Sequence, residues 1–195
     1  MQGQCRIPVF GQQNMTNILV AAAMSLSVGL TPEEIWKALP LCRTNWGRNQ
    51  VVPLQSGAQL LFDGYNANPD SMQALLSNVS LIETSGKKIG VFAQMKELGE
   101  LAPEAHFELG QKVADSGFDV VWFYGENFES FARGMKDKKF SKTLIVSSTY
   151  EESLAIQVAS MVNPEDRVLV KGSRSMKLER FVQTCNPVDF TLSKE

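Results

Sequence analysis

The rhythm of apolar positions changes near residue 50. Ahead of that point, residues 18–30 form an almost unbroken apolar stretch. Asn14, Thr16 and Asn17 mark a helix start there, and Gly29 marks its end. The expected first helix covers about residues 15–28, carries Ala21, Ala22 and Ala23, and reads as a buried, closely packed helix. Thr31-Pro32-Glu33-Glu34 is a capping box with proline at the first helical position, opening a second helix through about Leu39. Residues 40–50, with Asn45-Trp46-Gly47-Arg48, are irregular. So short a helical opening does not close a core, and it reads as the remnant of a different domain.

Beyond residue 50, strand and helix rhythms alternate. Residues 51–55 and 59–62 flank Ser56-Gly57 and predict a hairpin. Met72, Leu75, Leu76, Val79 and Ile82 recur at helical spacing. Strands are then expected at 88–93, 119–124, 143–146 and 167–170. Helices are expected near 103–115, at 126–135 (the weakest), 151–162 and 176–184. Strands separated by helical runs imply an α/β fold with a mostly parallel sheet and helices on both faces.

Composition removes several function classes. Over 195 residues, 44% hydrophobic and 21% charged content is that of an ordinary globular protein. A net charge of −2 leaves no basic footprint for nucleic acid. The apolar run at 18–30 is shorter than the roughly 20 residues a bilayer requires, so no membrane insertion is expected and a cytoplasmic location follows. Cys5, Cys42 and Cys185 are far apart and match no metal spacing; reduced, partly buried thiols are expected.

Candidate chemistry concentrates in Asp63-Gly64-Tyr65-Asn66-Ala67-Asn68-Pro69-Asp70-Ser71-Met72. This segment follows the apolar run Leu60-Leu61-Phe62 and precedes an amphipathic helix. Loops at the carboxyl ends of strands in open α/β sheets are where ligands sit. Asn68-Pro69-Asp70 also makes a good helix start, with Asn as cap and Asp complementing the dipole. The segment closely resembles the D-S-Y-N-A-N-P-x-S-M signature of the Mur ligases that add D-alanyl-D-alanine to the peptidoglycan precursor. Further segments resemble that family in order. Gly11-Gln12-Gln13-Asn14 with Asn17 is similar to G-x-H-N-x-x-N, and Gly47-Arg48 to its glycine-arginine pair. Met95-Lys96-Glu97-Leu98-Gly99 is similar to M-x-E-L-G, His106 with Gly110 to H-x-x-x-G, and Val170-Lys171-Gly172-Ser173-Arg174 to V-K-G-S-R.

The resemblance implies that residues 1–50 end a central ATP-binding domain and that 51–195 form a C-terminal Rossmann-like domain. It implies nucleotide contacts at Asn14, Arg48 and Asp63. An amide can read base edges, a guanidinium suits phosphate and a carboxylate accepts from ribose hydroxyls. Asn66, Asn68, Lys171 and Ser173 are candidates for the amino-acid substrate. Taken without the family, the Lys171–Arg174 loop is an ordinary β–α turn. His106, the one histidine, reads as an anchoring hydrogen bond, Trp36, Trp46 and Trp122 as packing residues, and residues 136–139 as a solvated loop.

No G-x-x-x-x-G-K-[ST] loop occurs to cradle ATP phosphates. Gln13 stands where the family has His, Phe62 replaces the first of two aspartates, and Ala93-Gln94 occupies the place of a Gly-Asp pair. ATP, Mg²⁺, D-alanyl-D-alanine and UDP-N-acetylmuramoyl-tripeptide are implied for a complete enzyme, along with N-terminal and central domains upstream. No cofactor is expected to bind this chain tightly, and no catalytic or metal-ligating residue is assigned. Two expectations follow: the C-terminal part of an amide ligase, inactive alone, or a non-catalytic binding module on the same scaffold.

Overall fold

The computed structural model describes residues 3–79 and 82–191, which divide into two compact units at residues 45 and 46. The first unit contains α1 (Gln12–Ser27) and α2 (Pro32–Ala38), followed by a 3₁₀ turn at Leu39–Leu41. α2 carries the expected capping box: Thr31 Oγ1 accepts from the Glu34 backbone N–H at 3.3 Å, and Glu34 Oε2 accepts from the Thr31 N–H at 2.8 Å. α1 departs from expectation. It was read as a buried helix, yet none of its described side chains is buried, and Leu19 (67%) and Met24 (64%) are largely exposed. A helix apolar on all sides needs partners on all sides. Among the described residues of this unit, 3–45, the partners offered are one short helix and a turn.

The second unit is the α/β body. β1 (Gln50–Pro53) and β2 (Gln59–Asp63) form the expected antiparallel hairpin, with Val51 opposite Leu61. There follow α3 (Pro69–Val79), β3 (Lys88–Ala93), α4 (Ala102–Ala114), β4 (Val120–Tyr124) and α5 (Phe128–Asp137). β5 (Thr143–Ser147), α6 (Glu152–Ala159), β6 (Arg167–Lys171) and α7 (Glu179–Thr184) complete it. The sheet order is β1-β2-β6-β3-β4-β5, parallel throughout except for β1. Interior strands of such a sheet are covered on both faces, which is why β4 reads Val-Val-Trp-Phe-Tyr with every residue buried.

The two faces use alternate residues. Leu60, Phe62, Val91, Trp122, Val168 and Val170 point into one core with Ala155 and Val158 of α6 and Phe181 and Val182 of α7. Helices α3, α4 and α5 pack against one another on the opposite face. There α4 and α5 approach so closely that a Cβ on Gly110 would stand 2.2 Å from the Phe131 carbonyl oxygen. The chain therefore winds one way through α3–α5 and returns through α6. β6 lies between β2 and β3, whose exits lead to the other face, so the crevice above it is a topological switch point.

Several boundaries differ from expectation: α1 starts at Gln12 rather than 15, β1 ends at Pro53 rather than 55, α5 starts at Phe128 rather than 126, and α6 ends at Ala159 rather than 162. α7 begins at Glu179 rather than 176, because residues 174–176 form a 3₁₀ turn ended by Lys177 in the left-handed region, φ 52°. α5 runs through Asp137, so Lys136 is helical, and the turn comes at Lys139 with φ 56°. Cys5, Cys42 and Cys185 are free thiols, the last buried and pushed up to about 12 by loss of solvent.

Candidate functional site

The carboxyl ends of β2, β3, β4 and β6 meet in one hydrogen-bonded edge. Its centre is a cross-strand pair: Asp63 and Lys171 are register partners in β2 and β6. Both are buried, with side-chain exposures of 9% and 1%, and Lys171 Nζ stands 2.6 Å from Asp63 Oδ2. The same ammonium donates to the Asn66 carbonyl at 3.0 Å. Burial pushes the Lys171 amine below its ordinary range; the Asp63 charge and hydrogen bond pull it upward, and nearby Arg48 pushes it down again. Asp63 Oδ1 accepts a longer bond, 3.3 Å, from the backbone N–H of Asn49.

The loop after β2 is shaped by its own residues. Tyr65 N–H donates to the Gly47 carbonyl at 3.1 Å, bringing Gly47-Arg48 beside the loop. Gly47 has φ 66°, and a Cβ there would stand 3.2 Å from Tyr65 N, so the turn and the close approach both ask for glycine. The Arg48 guanidinium lies 4.4 Å from the Tyr65 ring centroid, and both side chains are exposed. Asn66 Oδ1 accepts from Ala67 N–H at 2.9 Å. Asn68 caps α3, its Oδ1 accepting from Ser71 N–H at 2.8 Å, as the Asn-Pro-Asp start predicts.

The β3, β4 and β6 exits are tied to one another. Ser173 Oγ accepts from Lys96 N–H at 3.0 Å, joining β6 to β3. Gln94 Oε1 accepts from Glu126 N–H at 2.6 Å, and Lys96 Nζ stands 3.3 Å from Glu126 Oε1, joining β3 to β4. His106 lies beneath this loop, fully buried. Its Nδ1–H donates to the Ala102 carbonyl at 2.6 Å, and Nε2 accepts from Met95 N–H at 3.0 Å. Accepting at Nε2 requires the neutral ring, and burial lowers the histidine below its usual range. His106 is therefore an anchor, as the sequence indicated.

The fold thus brings Arg48, Asp63, Asn66, Asn68, Lys171 and Ser173 to one edge of the second unit. Asn14 belongs to the first unit, where its Nδ2 donates to the Phe10 carbonyl at 2.7 Å. The Gln13 side chain lies outside the described residues. Phe62, at the position of an aspartate in the resembling motif, is fully buried edge-on to Trp46 and Phe190, at centroid distances of 5.2 and 5.3 Å. Trp46 packs as expected, yet it also carries the Arg174 guanidinium 4.6 Å from its ring centroid. Asn49, Lys96 and Glu126 were not singled out in the sequence. Asn49 acts through its backbone, and the other two meet only because β3 and β4 are neighbours.

The family profile described as "Mur ligase, glutamate ligase domain" matches residues 47–174, a span containing every strand end of this edge. The chain belongs to the Mur ligase family. It is 33% identical over 177 residues to the UDP-N-acetylmuramoyl-tripeptide–D-alanyl-D-alanine ligase of Bacillus subtilis, covering 91% of this chain and 38% of that protein. Its fold is similar to a crystal structure of MurF from Acinetobacter baumannii, with TM-score 0.81, 26% identity, and 92% of this chain against 39% of that one. MurF ligase from Thermotoga maritima in complex with ADP matches with TM-score 0.70 and 27% identity, over 91% of this chain and 38% of that one. The chain thus spans under two fifths of the length of these Mur ligases.

Proposed function

We propose that the chain is the C-terminal portion of an ATP-dependent amide ligase joining D-alanyl-D-alanine to a UDP-N-acetylmuramoyl-tripeptide in peptidoglycan synthesis. The observation that carries this reading is the gathering of Arg48, Asp63, Lys171 and Ser173 at the switch-point edge of a Mur ligase domain. The name of the Bacillus subtilis relative and the ADP bound to the Thermotoga maritima relative support it. In this reading Arg48 faces nucleotide phosphate and Asp63 the ribose. Asn66, Asn68 and Ser173 line the dipeptide side. The reaction activates the tripeptide carboxylate by phosphoryl transfer from ATP; the dipeptide amine then attacks the acyl carbon and phosphate leaves.

This chain supplies one wall of that site, and we expect no ligase activity from it alone. Magnesium belongs to the complete enzyme. Among the described residues no cluster of three or more Asp, Glu, His or Cys is placed to hold a metal, and Asp63 is already paired. Among the described residues no helix is long and apolar enough to cross a membrane. The nucleotide-linked substrate fits a cytoplasmic enzyme.

The test joins the chain to the missing Mur ligase domains and measures phosphate release dependent on both ATP and D-alanyl-D-alanine. A folded complete protein that releases none sinks the proposal; Asp63→Ala in an active one should weaken nucleotide binding. One observation favours a second reading, a non-catalytic binding module. Asp63 and Lys171 satisfy each other, and Phe62 is enclosed where a carboxylate would be offered. That reading predicts that neither ATP nor dipeptide raises the melting temperature of the joined protein.

A further inference from the structure

Lys171 is placed to do something other than touch a substrate. Its side chain is 1% exposed, and it bridges a strand end to the loop that follows it: the Asp63 carboxylate of β2 at 2.6 Å and the Asn66 carbonyl at 3.0 Å. An ammonium has three donors and no acceptor, so two of the three are committed inside the protein. Lys171 is itself fixed: it lies in register with Asp63 on β2 and with Phe92 on β3, in the interior of the sheet. The Gly64–Asn68 segment, by contrast, lies outside any helix or strand and contains the exposed Tyr65. A rigid strand end therefore holds the middle of an irregular loop by its backbone oxygen. A neutral partner such as water would leave the loop free to vary, whereas a short bond from a fixed, charged donor to this part-buried carbonyl selects a single loop shape.

We propose that Lys171 is a positioning residue: by holding the Asn66 carbonyl and the Asp63 carboxylate together, it shapes the loop that presents Tyr65 and Arg48. The consequence runs outward along the chain. With Asn66 held, Tyr65 N–H reaches the Gly47 carbonyl at 3.1 Å, and the Tyr65 ring takes the Arg48 guanidinium at 4.4 Å. Lys171 thereby orients two groups that it does not touch. Its effect on ligand binding rests on the proposed function, in which Arg48 and Asp63 meet the nucleotide; its effect on the loop does not.

The test separates those two dependences. Amide hydrogen exchange is followed at Tyr65 and Ala67, whose N–H groups donate to the Gly47 carbonyl and to Asn66 Oδ1, with the amides of β6 as reference. Lys171→Met keeps the length of the stem and removes all three donors. It should speed exchange at Tyr65 and Ala67 by about tenfold or more, the size expected for loss of a charge-assisted hydrogen bond. Asp63→Asn leaves the Asn66 bond available, so exchange at both amides should stay close to the unsubstituted protein. Unchanged exchange in Lys171→Met overturns the proposal, and so does equal acceleration in Asp63→Asn. Should Lys171→Met not fold, the unsubstituted chain decides: a scalar coupling between a lysine Nζ and the Asn66 carbonyl carbon supports the bridge, and its absence overturns it. In the joined ligase, Lys171→Met should raise the KM for ATP about tenfold with a smaller change in kcat. Faster loop exchange with an unchanged KM supports the positioning role and removes the nucleotide from this edge.

Discussion

Buried carboxylates stand at both ends of the parallel sheet and are satisfied in different ways. At the amino end, Asp166 is 2% exposed and accepts two backbone N–H bonds, from Lys87 at 2.7 Å and Asn163 at 2.8 Å. Gly86 lies so close that a Cβ there would stand 2.5 Å from Asp166 Oδ1. At the carboxyl end, Asp63 is 6% exposed, and its short bond goes to a lysine side chain; its one backbone bond is the longer, at 3.3 Å. Backbone donors tie the entries of β3 and β6 together and leave Asp166 nothing further to do. A side-chain ammonium neutralises Asp63 while its other oxygen stays weakly held. Burial alone therefore does not distinguish the two carboxylates; the kind of partner does.

The largest effect should come from breaking the Asp63 pair on one side. Asp63→Ala leaves the Lys171 ammonium buried without its counter-charge and should cost about 3–5 kcal/mol in urea unfolding. The double variant Asp63→Asn with Lys171→Met should recover much of that loss while abolishing nucleotide affinity in the joined enzyme. A double variant as unstable as Asp63→Ala would mean that packing, not charge, dominates this edge. At the other end, Asp166→Ala leaves two part-buried backbone N–H groups without their acceptor and should cost about 1–3 kcal/mol. Its folded fraction should bind ligands normally. Weakened ligand affinity from Asp166→Ala would erase the contrast between the two ends.

His106 sharpens the comparison through pH. Its folded-state pKa lies below the free value of about 6.5, so the unfolded chain binds the proton more readily. The stability contributed by the neutral ring is present above about pH 6.5 and is lost as pH falls from there toward the folded-state pKa. His106→Gln should flatten the fall of the unfolding free energy as pH drops below about 6.5. An unaltered slope would assign that window to other groups. The smallest effect is expected at Lys142, whose partly exposed pair with Asp119 spans 2.7 Å. Lys142→Ala should change stability by at most about 1 kcal/mol, and less at high salt.

Most of the fold was legible along the chain because its period switches are local. The β3 strand lies at the expected residues, and Met72, Leu75, Leu76 and Val79 are the buried face of α3. The capping box and the Asn68 cap were readable for the same reason, since each acts within three residues. α1 was misread because an apolar pattern says that a helix prefers burial, not that partners are at hand; its exposed Leu19 and Met24 depend on what surrounds it. The site was readable as a set of residue types and unreadable as a set of bonds. The Asp63–Asn68 and Lys171–Arg174 motifs pointed to the edge, whereas nothing local indicated that Lys171 would turn toward Asn66 or that Ser173 would receive the Lys96 N–H.

By itself, the sequence determined the alternation of strands and helices, the hairpin, the caps and the family, all of which rest on short-range periodicity and motif. The tertiary structure decided that β6 inserts between β2 and β3. That one placement brings residues 108 positions apart to 2.6 Å and makes a buried lysine the partner of a buried aspartate. Strand order follows from how a whole sheet covers its two faces, a global packing balance that no window of residues contains.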